Sequence, residues 1–135
     1  MIKDFLDKDL PMIDHVSLGS RRFEESIQFY SECLHPLGYQ LEHRTPEEAA
    51  FGPHGKWTFW LYPVPSNGVV VGARSHVAVS ADTQEKIVKF HDAALQRGAT
   101  TVRAPGGRPD ISPDYFGTVI RDLDGHTIEV VYWSK

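Results

Sequence analysis

The sequence predicts an α+β domain made of two β-α-β-β-β modules that form curved mixed sheets, and a repeated pattern is the first evidence for it. The segment at 14–19 (DHVSLG) reappears in similar form at 75–80 (SHVAVS). The match continues into a helix-like stretch, where Glu24 and Phe29 correspond to Glu85 and Phe90, each 61 residues later. A self-match at a fixed spacing indicates a duplicated structural unit. Two similar modules, each beginning with a histidine strand, therefore account for most of the chain.

The first module is predicted to span residues 12–62, after an N-terminal arm at residues 1–11 in which charged and apolar side chains alternate. Its first strand covers 12–18, and a helix follows in which Phe23, Ile27 and Tyr30 recur at helical spacing. Ser20 is expected to cap this helix, and the Pro and Gly of 36–38 end it. Three further strands are predicted from alternation and aromatic content, at 39–44, 49–51 and 56–62.

The second module is predicted to span residues 74–133, after a linker at 63–73 that is rich in proline and glycine. Its helix begins at Asp82 or Thr83 and ends at Gly98. Strands are predicted at 74–80, 100–103, 115–121 and 126–133. The stretch 104–113 contains three prolines and two glycines, which predicts a long loop. Residues 122–125 (DLDG) predict a tight turn, and His126 beside it is expected to be exposed.

Composition excludes several classes of protein. The 135 residues suit one domain, and 41% hydrophobic with 24% charged residues is ordinary for a globular protein. A net charge of -4 without clustered basic residues argues against a nucleic-acid partner. No apolar run reaches the roughly 20 residues that span a bilayer. The charged N-terminus does not resemble a signal peptide, and Cys33 lacks an internal disulfide partner, so we expect a cytoplasmic protein with Cys33 buried as a small apolar residue.

Both modules direct a histidine towards the sheet face that the single helix of each module leaves uncovered. Strand alternation places His15 and His76 on these faces, with small residues beside them. Glu129 lies in a run of Ile and Val, where an unpaired carboxylate is costly, and a metal cation is one way to supply its partner. A lone inward histidine is more often a core residue, but two equivalent histidines with a glutamate favour metal binding. This ligand set is typical of non-haem Fe(II), and Mn, Ni or Zn also accept it.

The paired modules, the two histidine strands and the segment 122–129 (DLDGHTIE) together resemble the vicinal-oxygen-chelate superfamily. That group includes glyoxalase I, the fosfomycin- and bleomycin-resistance proteins and the type I extradiol dioxygenases. The resemblance covers roughly residues 12–133. It implies a metal at the mouth of the curved sheets, with ligands at His15, His76 and Glu129. It also implies a homodimer, in which the site lies within one chain or is shared between two.

One position departs from the glyoxalase I pattern. Members of that group carry a fourth ligand, usually Glu or Gln, on the fourth strand. The matching position here is Phe59 or Trp60, depending on the alignment of the strand, and neither side chain binds a metal. The remaining three ligands are similar to those of the extradiol dioxygenases, which favours Fe(II).

The sequence therefore favours a metal-dependent enzyme that acts on a small organic substrate chelated through two adjacent oxygens, with dioxygenase-like or lyase/isomerase-like chemistry. Glu129 and Tyr115 are the predicted catalytic residues, Tyr115 as an acid or as a hydrogen-bond donor behind the ligands. The aromatic fourth strand predicts a substrate pocket lined by Trp57, Phe59, Trp60 and Tyr62. The alternative is a non-catalytic protein that binds a drug or antibiotic, as bleomycin-resistance proteins do, with aromatic walls and without a metal.

Overall fold

The computed structural model describes residues 10–135, so nearly all of the predicted N-terminal arm at 1–11 lies outside the described residues. The first module contains β1 (Val16–Ser20), α1 (Phe23–Cys33), a short 3-10 helix (His35–Leu37), β2 (Gln40–Thr45), β3 (Glu48–Gly52) and β4 (Phe59–Pro63). The second contains β5 (His76–Ser80), α2 (Gln84–Gln96), β6 (Thr100–Arg108), β7 (Ser112–Arg121) and β8 (Thr127–Trp133). The predicted order of elements is confirmed in both modules.

The two modules form two four-stranded sheets with the same topology. The strand orders are β1-β4-β3-β2 and β5-β8-β7-β6. In each sheet the first strand pairs in parallel with the last strand of its module, and the other pairs are antiparallel. The first strands, β1 and β5, are therefore both edge strands. Each has one side of its backbone without a strand partner among the described residues.

The core lies on the sheet faces that the helices cover. Every second residue of β4, β7 and β8 points into it, and α1 and α2 add their apolar stripes. The largest fully buried side chains of this core are Tyr30, Phe29, Phe51, Phe90, Leu34 and Leu61. Cys33 is buried here as predicted, and burial raises the pKa of its thiol. No helix within residues 10–135 covers the opposite sheet faces, which we call the open faces.

The two helices begin differently. Thr83 caps α2 as predicted, because its side chain accepts a hydrogen bond from the backbone N–H of Lys86 at 3.2 Å. The prediction that Ser20 caps α1 is wrong. The helix begins at Phe23 without a side-chain cap, and the hydroxyl of Ser20 instead accepts from the N–H of Arg22 and contacts Ser26.

The predicted loop at 104–113 is wrong, because β6 and β7 extend through most of it. Only residues 109–111 lie between the two strands. The pairing of β6 with β7 shifts register at three places, including the steps between Arg103 and Gly106 and between Gly107 and Arg108. Such bulges accommodate residues that cannot join a regular ladder, and β6 is an edge strand, where proline is tolerated. Pro105 and the two glycines therefore lie in a strand.

The DLDG turn is confirmed, but its environment is not the one expected. Gly125 has a φ of +92°, the left-handed conformation that a turn of this kind requires. His126 was predicted to be exposed, and this is wrong: the residue is buried, with its Nε2 2.7 Å from the carbonyl oxygen of Gly19. Asp122 and Asp124 are buried as well.

The buried carboxylates of this turn join the second module to the first. Asp124 accepts hydrogen bonds from the hydroxyls of Ser20 and Ser26 and from the backbone N–H of Arg21. Asp122 accepts from the hydroxyl of Tyr30. Charged groups are buried only when they are paired in this way. We call Asp122, Asp124, Ser20, Ser26 and Tyr30 the inter-module cluster.

The described part of the chain contains no helix that is both long and apolar enough to cross a membrane.

Candidate functional site

The open face of the second sheet brings two of the predicted ligands together. Ala78 of β5 pairs with Glu129 of β8, and His76 lies one same-face position away. The Nε2 atom of His76 is 3.3 Å from Oε1 of Glu129. The His76 side chain is 51% exposed, while that of Glu129 is 17% exposed. The carboxylate is thus held close to the sheet, and the imidazole is accessible to a ligand.

Tyr115 extends this pair towards β6. Its hydroxyl donates to Oε2 of Glu129 at 2.7 Å and accepts from Nη2 of Arg103 at 2.9 Å. Burial raises the pKa of Tyr115, and the hydrogen bond to Glu129 raises it further, whereas the bond from Arg103 opposes the shift. The phenol therefore remains protonated near neutral pH. The structure places Tyr115 directly behind the carboxylate of Glu129.

Arg103 is a site residue that the sequence reasoning missed. It is the last residue of the predicted strand at 100–103. In the structure it pairs with Val119 and donates a hydrogen bond to Tyr115, both on β7, across a ladder that contains bulges. Its Nη1 atom is buried and has no hydrogen-bond partner among the described residues. Only a correct prediction of the β6–β7 register would have brought Arg103 to this face.

The open face of the first sheet carries His15. The residue lies immediately before β1, and its Nδ1 is 2.8 Å from Oδ1 of Asp14. Its ring meets that of Trp60 edge-on, with 6.3 Å between the ring centroids. Phe59, in contrast, is buried in the core. Of the two residues considered for the fourth-ligand position, Trp60 is therefore the one that shares a face with His15.

Aromatic rings cover much of this first face. Trp57 stacks on His43 at 4.4 Å with 15° between the planes, and both rings contact Trp60 edge-on. Trp60 lies parallel to Tyr62 at 6.0 Å. Glu48 holds His43, with Oε2 2.7 Å from Nε2. His43, to which sequence reasoning gave no role, is therefore part of an aromatic surface. Three of the four predicted pocket residues lie on it, and Phe59 does not.

Within residues 10–135, no three His, Cys, Asp or Glu side chains converge as a metal would require. His76 and Glu129 meet, whereas His15 lies on the face of the other module. The predicted ligands His15, His76 and Glu129 are thus not assembled as one cluster in the described part of the chain. Imidazole nitrogen and carboxylate oxygen are nevertheless suitable donors for a divalent metal. Two of the three predicted ligands, His76 and Glu129, therefore lie side by side in one chain.

A groove of about 520 Å³ separates the edge strands β1 and β5. Its floor is apolar, with Phe51, Phe59 and Val79, and both His15 and His76 line it. Tyr39 crosses one end, where its hydroxyl donates to the carbonyl of Ser80 at 2.6 Å. The groove is thus lined by residues of both modules, whose strands belong to separate sheets.

Comparison with known families identifies the chain. The family model described as "Glyoxalase/Bleomycin resistance protein/Dioxygenase superfamily" matches residues 12–130. The chain belongs to this superfamily. The match includes both histidine strands and the whole DLDGHTIE segment. Within that segment, the DLDG turn joins the modules, and Glu129 at its end faces the open sheet surface.

Solved structures of this superfamily share the fold. A glyoxalase/bleomycin resistance protein from Albidiferax ferrireducens T118 is 25% identical, with a TM-score of 0.80 over 90% of this chain and 99% of that one. A putative glyoxalase from Bacillus halodurans is 20% identical, with a TM-score of 0.69 over 90% and 95% of the two chains. A family enzyme from Burkholderia phytofirmans PsJN is 18% identical, with a TM-score of 0.67 over 89% and 97%. No curated protein matches the sequence significantly.

Proposed function

We propose that the protein is a metal-dependent enzyme that acts on a small organic molecule carrying two adjacent oxygen atoms. The observation that carries this proposal is the convergence of His76 and Glu129 on an open sheet face, with the hydroxyl of Tyr115 bonded to the carboxylate. A histidine and a carboxylate can hold a divalent metal, and a protonated hydroxyl behind the carboxylate can supply a hydrogen bond or a proton.

The missing donor is proposed to be His15 of the partner subunit in a homodimer. The described part of each chain leaves two sheet faces uncovered, and each face carries part of the predicted ligand set. Half-exposed tryptophans lie on both faces, Trp57 on the first and Trp133 on the second. Exposed aromatic patches of this kind mark interaction surfaces. A two-fold axis that packs the open face of the first sheet of one subunit against the open face of the second sheet of its partner would complete two identical sites.

The ligand set favours Fe(II), with Mn, Ni or Zn as alternatives, because two imidazoles and one carboxylate form the facial triad of non-haem iron enzymes. When bound, the metal would supply a Lewis acid that stabilises negative charge on a substrate oxygen. Tyr115 would hold Glu129 in place and keep a proton within reach of the site. Trp57, Trp60 and Tyr62 would form an apolar wall that orients the substrate and excludes water. Dioxygenase-like and lyase- or isomerase-like reactions both use these parts.

A second candidate function is non-catalytic binding of a flat organic molecule. The continuous aromatic surface on the first face favours it, because exposed rings can stack against a planar ligand. Under this alternative the protein would bind no metal, and a ligand would quench the fluorescence of Trp57 and Trp60.

Metal analysis distinguishes the two functions. The protein is produced with supplied Fe, Mn and Zn, and the metal content is measured for wild type, His76→Ala, His15→Ala and His54→Ala. His54 is an exposed turn residue and serves as the control. We expect about one metal ion per chain in wild type and His54→Ala and a large loss in the other two. Full metal retention by His76→Ala would contradict the ligand assignment, and a metal-free wild type would favour the binding function.

A further inference from the structure

We propose that Gly117 and Arg103 are positioning residues that hold the hydroxyl of Tyr115 on Glu129, so that Glu129 offers a single oxygen, Oε1, to a ligand beside His76. The use of this arrangement in metal binding rests on the proposed function. The arrangement itself rests on the hydrogen bonds, distances and strand register of the second sheet.

Tyr115 reaches Glu129 only by lying along the strand. In the β7–β8 ladder, Val119 is the residue opposite Glu129, and Tyr115 is opposite Trp133. Four residues of strand separate Tyr115 from Val119, which is about 13 Å at the usual rise. The phenol ring must therefore extend over the intervening same-face residue. That residue is Gly117.

A side chain at Gly117 would occupy the place of the phenol. A Cβ atom built there would be 2.4 Å from the hydroxyl oxygen of Tyr115 and 2.7 Å from its Cζ atom. Contacts this short are not sustained between non-bonded atoms, so a methyl group would displace the ring. The absence of a side chain at Gly117 is what allows the bond between Tyr115 and Glu129.

Arg103 determines the direction of the phenol proton. It pairs with Val119 across the β6–β7 ladder, so it lies in the same row as Glu129. Its Nη2 donates to the Tyr115 hydroxyl at 2.9 Å, and its Cζ lies 5.5 Å from the centre of the Tyr115 ring. A guanidinium has no acceptor, so the phenol oxygen must accept this bond. The phenol proton is then donated to Oε2 of Glu129, 2.7 Å away.

The result is a carboxylate with two different oxygens. Oε2 of Glu129 is used by the phenol, and Oε1 faces Nε2 of His76. His76 and Glu129 would hold the metal, and Oε1 is the carboxylate oxygen that the phenol leaves without a hydrogen bond on the His76 side. Partners of this kind typically change metal affinity by roughly 10- to 100-fold when they are removed.

Two alanine substitutions at neighbouring glycines provide the test. Gly106 is the cross-strand partner of Gly117, but a Cβ there would meet nothing closer than the carbonyl oxygen of Ala104 at 3.9 Å. Gly106→Ala is therefore the matched control. Crystal structures of the metal-free variants give the distance from the Tyr115 hydroxyl to Oε2 of Glu129. We expect Gly117→Ala to break this hydrogen bond and Gly106→Ala to retain it. An intact bond in Gly117→Ala would overturn the proposal.

Titration with Co(II), followed by its visible absorption, measures the consequence. We expect Gly117→Ala and Tyr115→Phe each to change the Co(II) affinity by about tenfold or more. If the effect of Gly117→Ala on Co(II) affinity passes through the phenol hydroxyl, the double variant should match Tyr115→Phe alone. If the changes in Co(II) affinity caused by Gly117→Ala and Tyr115→Phe simply add in the double variant, Gly117 does not act through the phenol. If wild type binds no Co(II), the proposed function fails, while the metal-free crystal structures still decide the positioning role.

Arg103 supplies a second route to the same test, because a Cβ at Gly117 would also lie 2.7 Å from the carbonyl oxygen of Val130 and weaken the sheet. If Gly117→Ala does not fold, Arg103→Met and Arg103→Lys test whether the position of the phenol affects Co(II) binding. We expect the Met variant to change Co(II) affinity and its absorption spectrum, and the Lys variant to recover part of both, since lysine can still donate to the phenol. Wild-type affinity in Arg103→Met would overturn the role of Arg103.

Discussion

Replacing Asp124 with alanine tests how the two modules are held together. The carboxylate of Asp124 is 1% exposed and accepts bonds from Ser20 Oγ at 2.5 Å, the N–H of Arg21 at 2.8 Å and Ser26 Oγ at 3.3 Å. All three donors belong to the first module, whereas Asp124 lies in the β7–β8 turn of the second. No other residue of that turn bonds to Ser20, Ser26 or the Arg21 backbone among the described contacts.

The size of the effect follows from the donors that would lose their acceptor. A buried donor left without a partner costs about 1–3 kcal/mol, and more when the lost acceptor is charged. The two serine hydroxyls can still bond to each other, since their oxygens are 2.8 Å apart. We therefore expect Asp124→Ala to lower the free energy of unfolding by about 3 kcal/mol. That is a large part of the roughly 5–15 kcal/mol that stabilises a typical domain.

Urea denaturation followed by tryptophan fluorescence measures this loss. With a typical slope of roughly 1–3 kcal/mol per M, the midpoint should fall by about 1 M or more. Asp110→Ala is the control, because Asp110 forms an exposed pair with Arg108. Its midpoint should match that of wild type. If Asp124→Ala also unfolds at the wild-type midpoint, the inter-module cluster does not stabilise the fold as argued.

Two further predictions concern buried groups of the first and second modules. Burial, opposed by the hydrogen bond from Tyr30, raises the pKa of Asp122, so this carboxyl binds a proton more readily in the folded than in the unfolded state. Its contribution to stability is therefore lost as pH rises through the folded pKa. Asp122→Asn should remove that pH dependence. The check is the urea midpoint of wild type and of Asp122→Asn, measured between pH 3 and 7. If the two midpoints change with pH in the same way, the pH dependence does not come from Asp122. Cys33 is buried with a raised thiol pKa, so it should react with a thiol reagent only after unfolding, and rapid reaction in the native protein would contradict its burial.

The repeat and the strand alternation were sufficient to predict the architecture. His76 begins β5 and His15 immediately precedes the equivalent strand β1, and local periodicity determines which side chains face away from the helices. The position of Glu129 on an open face followed from the same alternation in β8. These features depend on neighbouring residues in the chain, which is why the sequence alone indicates them.

Features that depend on distant partners were not predicted. His126 and Asp124 look like solvated turn residues, but His126 bonds to Gly19 and Asp124 to Ser20, 107 and 104 residues earlier in the chain. The length of β6 was missed because proline and glycine indicate loops, whereas an edge strand with bulges accepts both. Placing Arg103 beside Tyr115 requires the same β6–β7 register. The separation of His15 from His76 depends on how two modules pack, which no local pattern specifies.

A heterodimer made from one His15→Ala chain and one His76→Ala chain tests the shared metal site most directly. The two chains are co-expressed with different affinity tags, purified through both, and analysed for bound metal. If the site takes His15 from one subunit and His76 with Glu129 from the other, one of the two sites is intact and the heterodimer binds about one metal ion, while both mutant homodimers bind none. A heterodimer that binds no metal, when the wild-type protein does, would contradict a site shared between subunits.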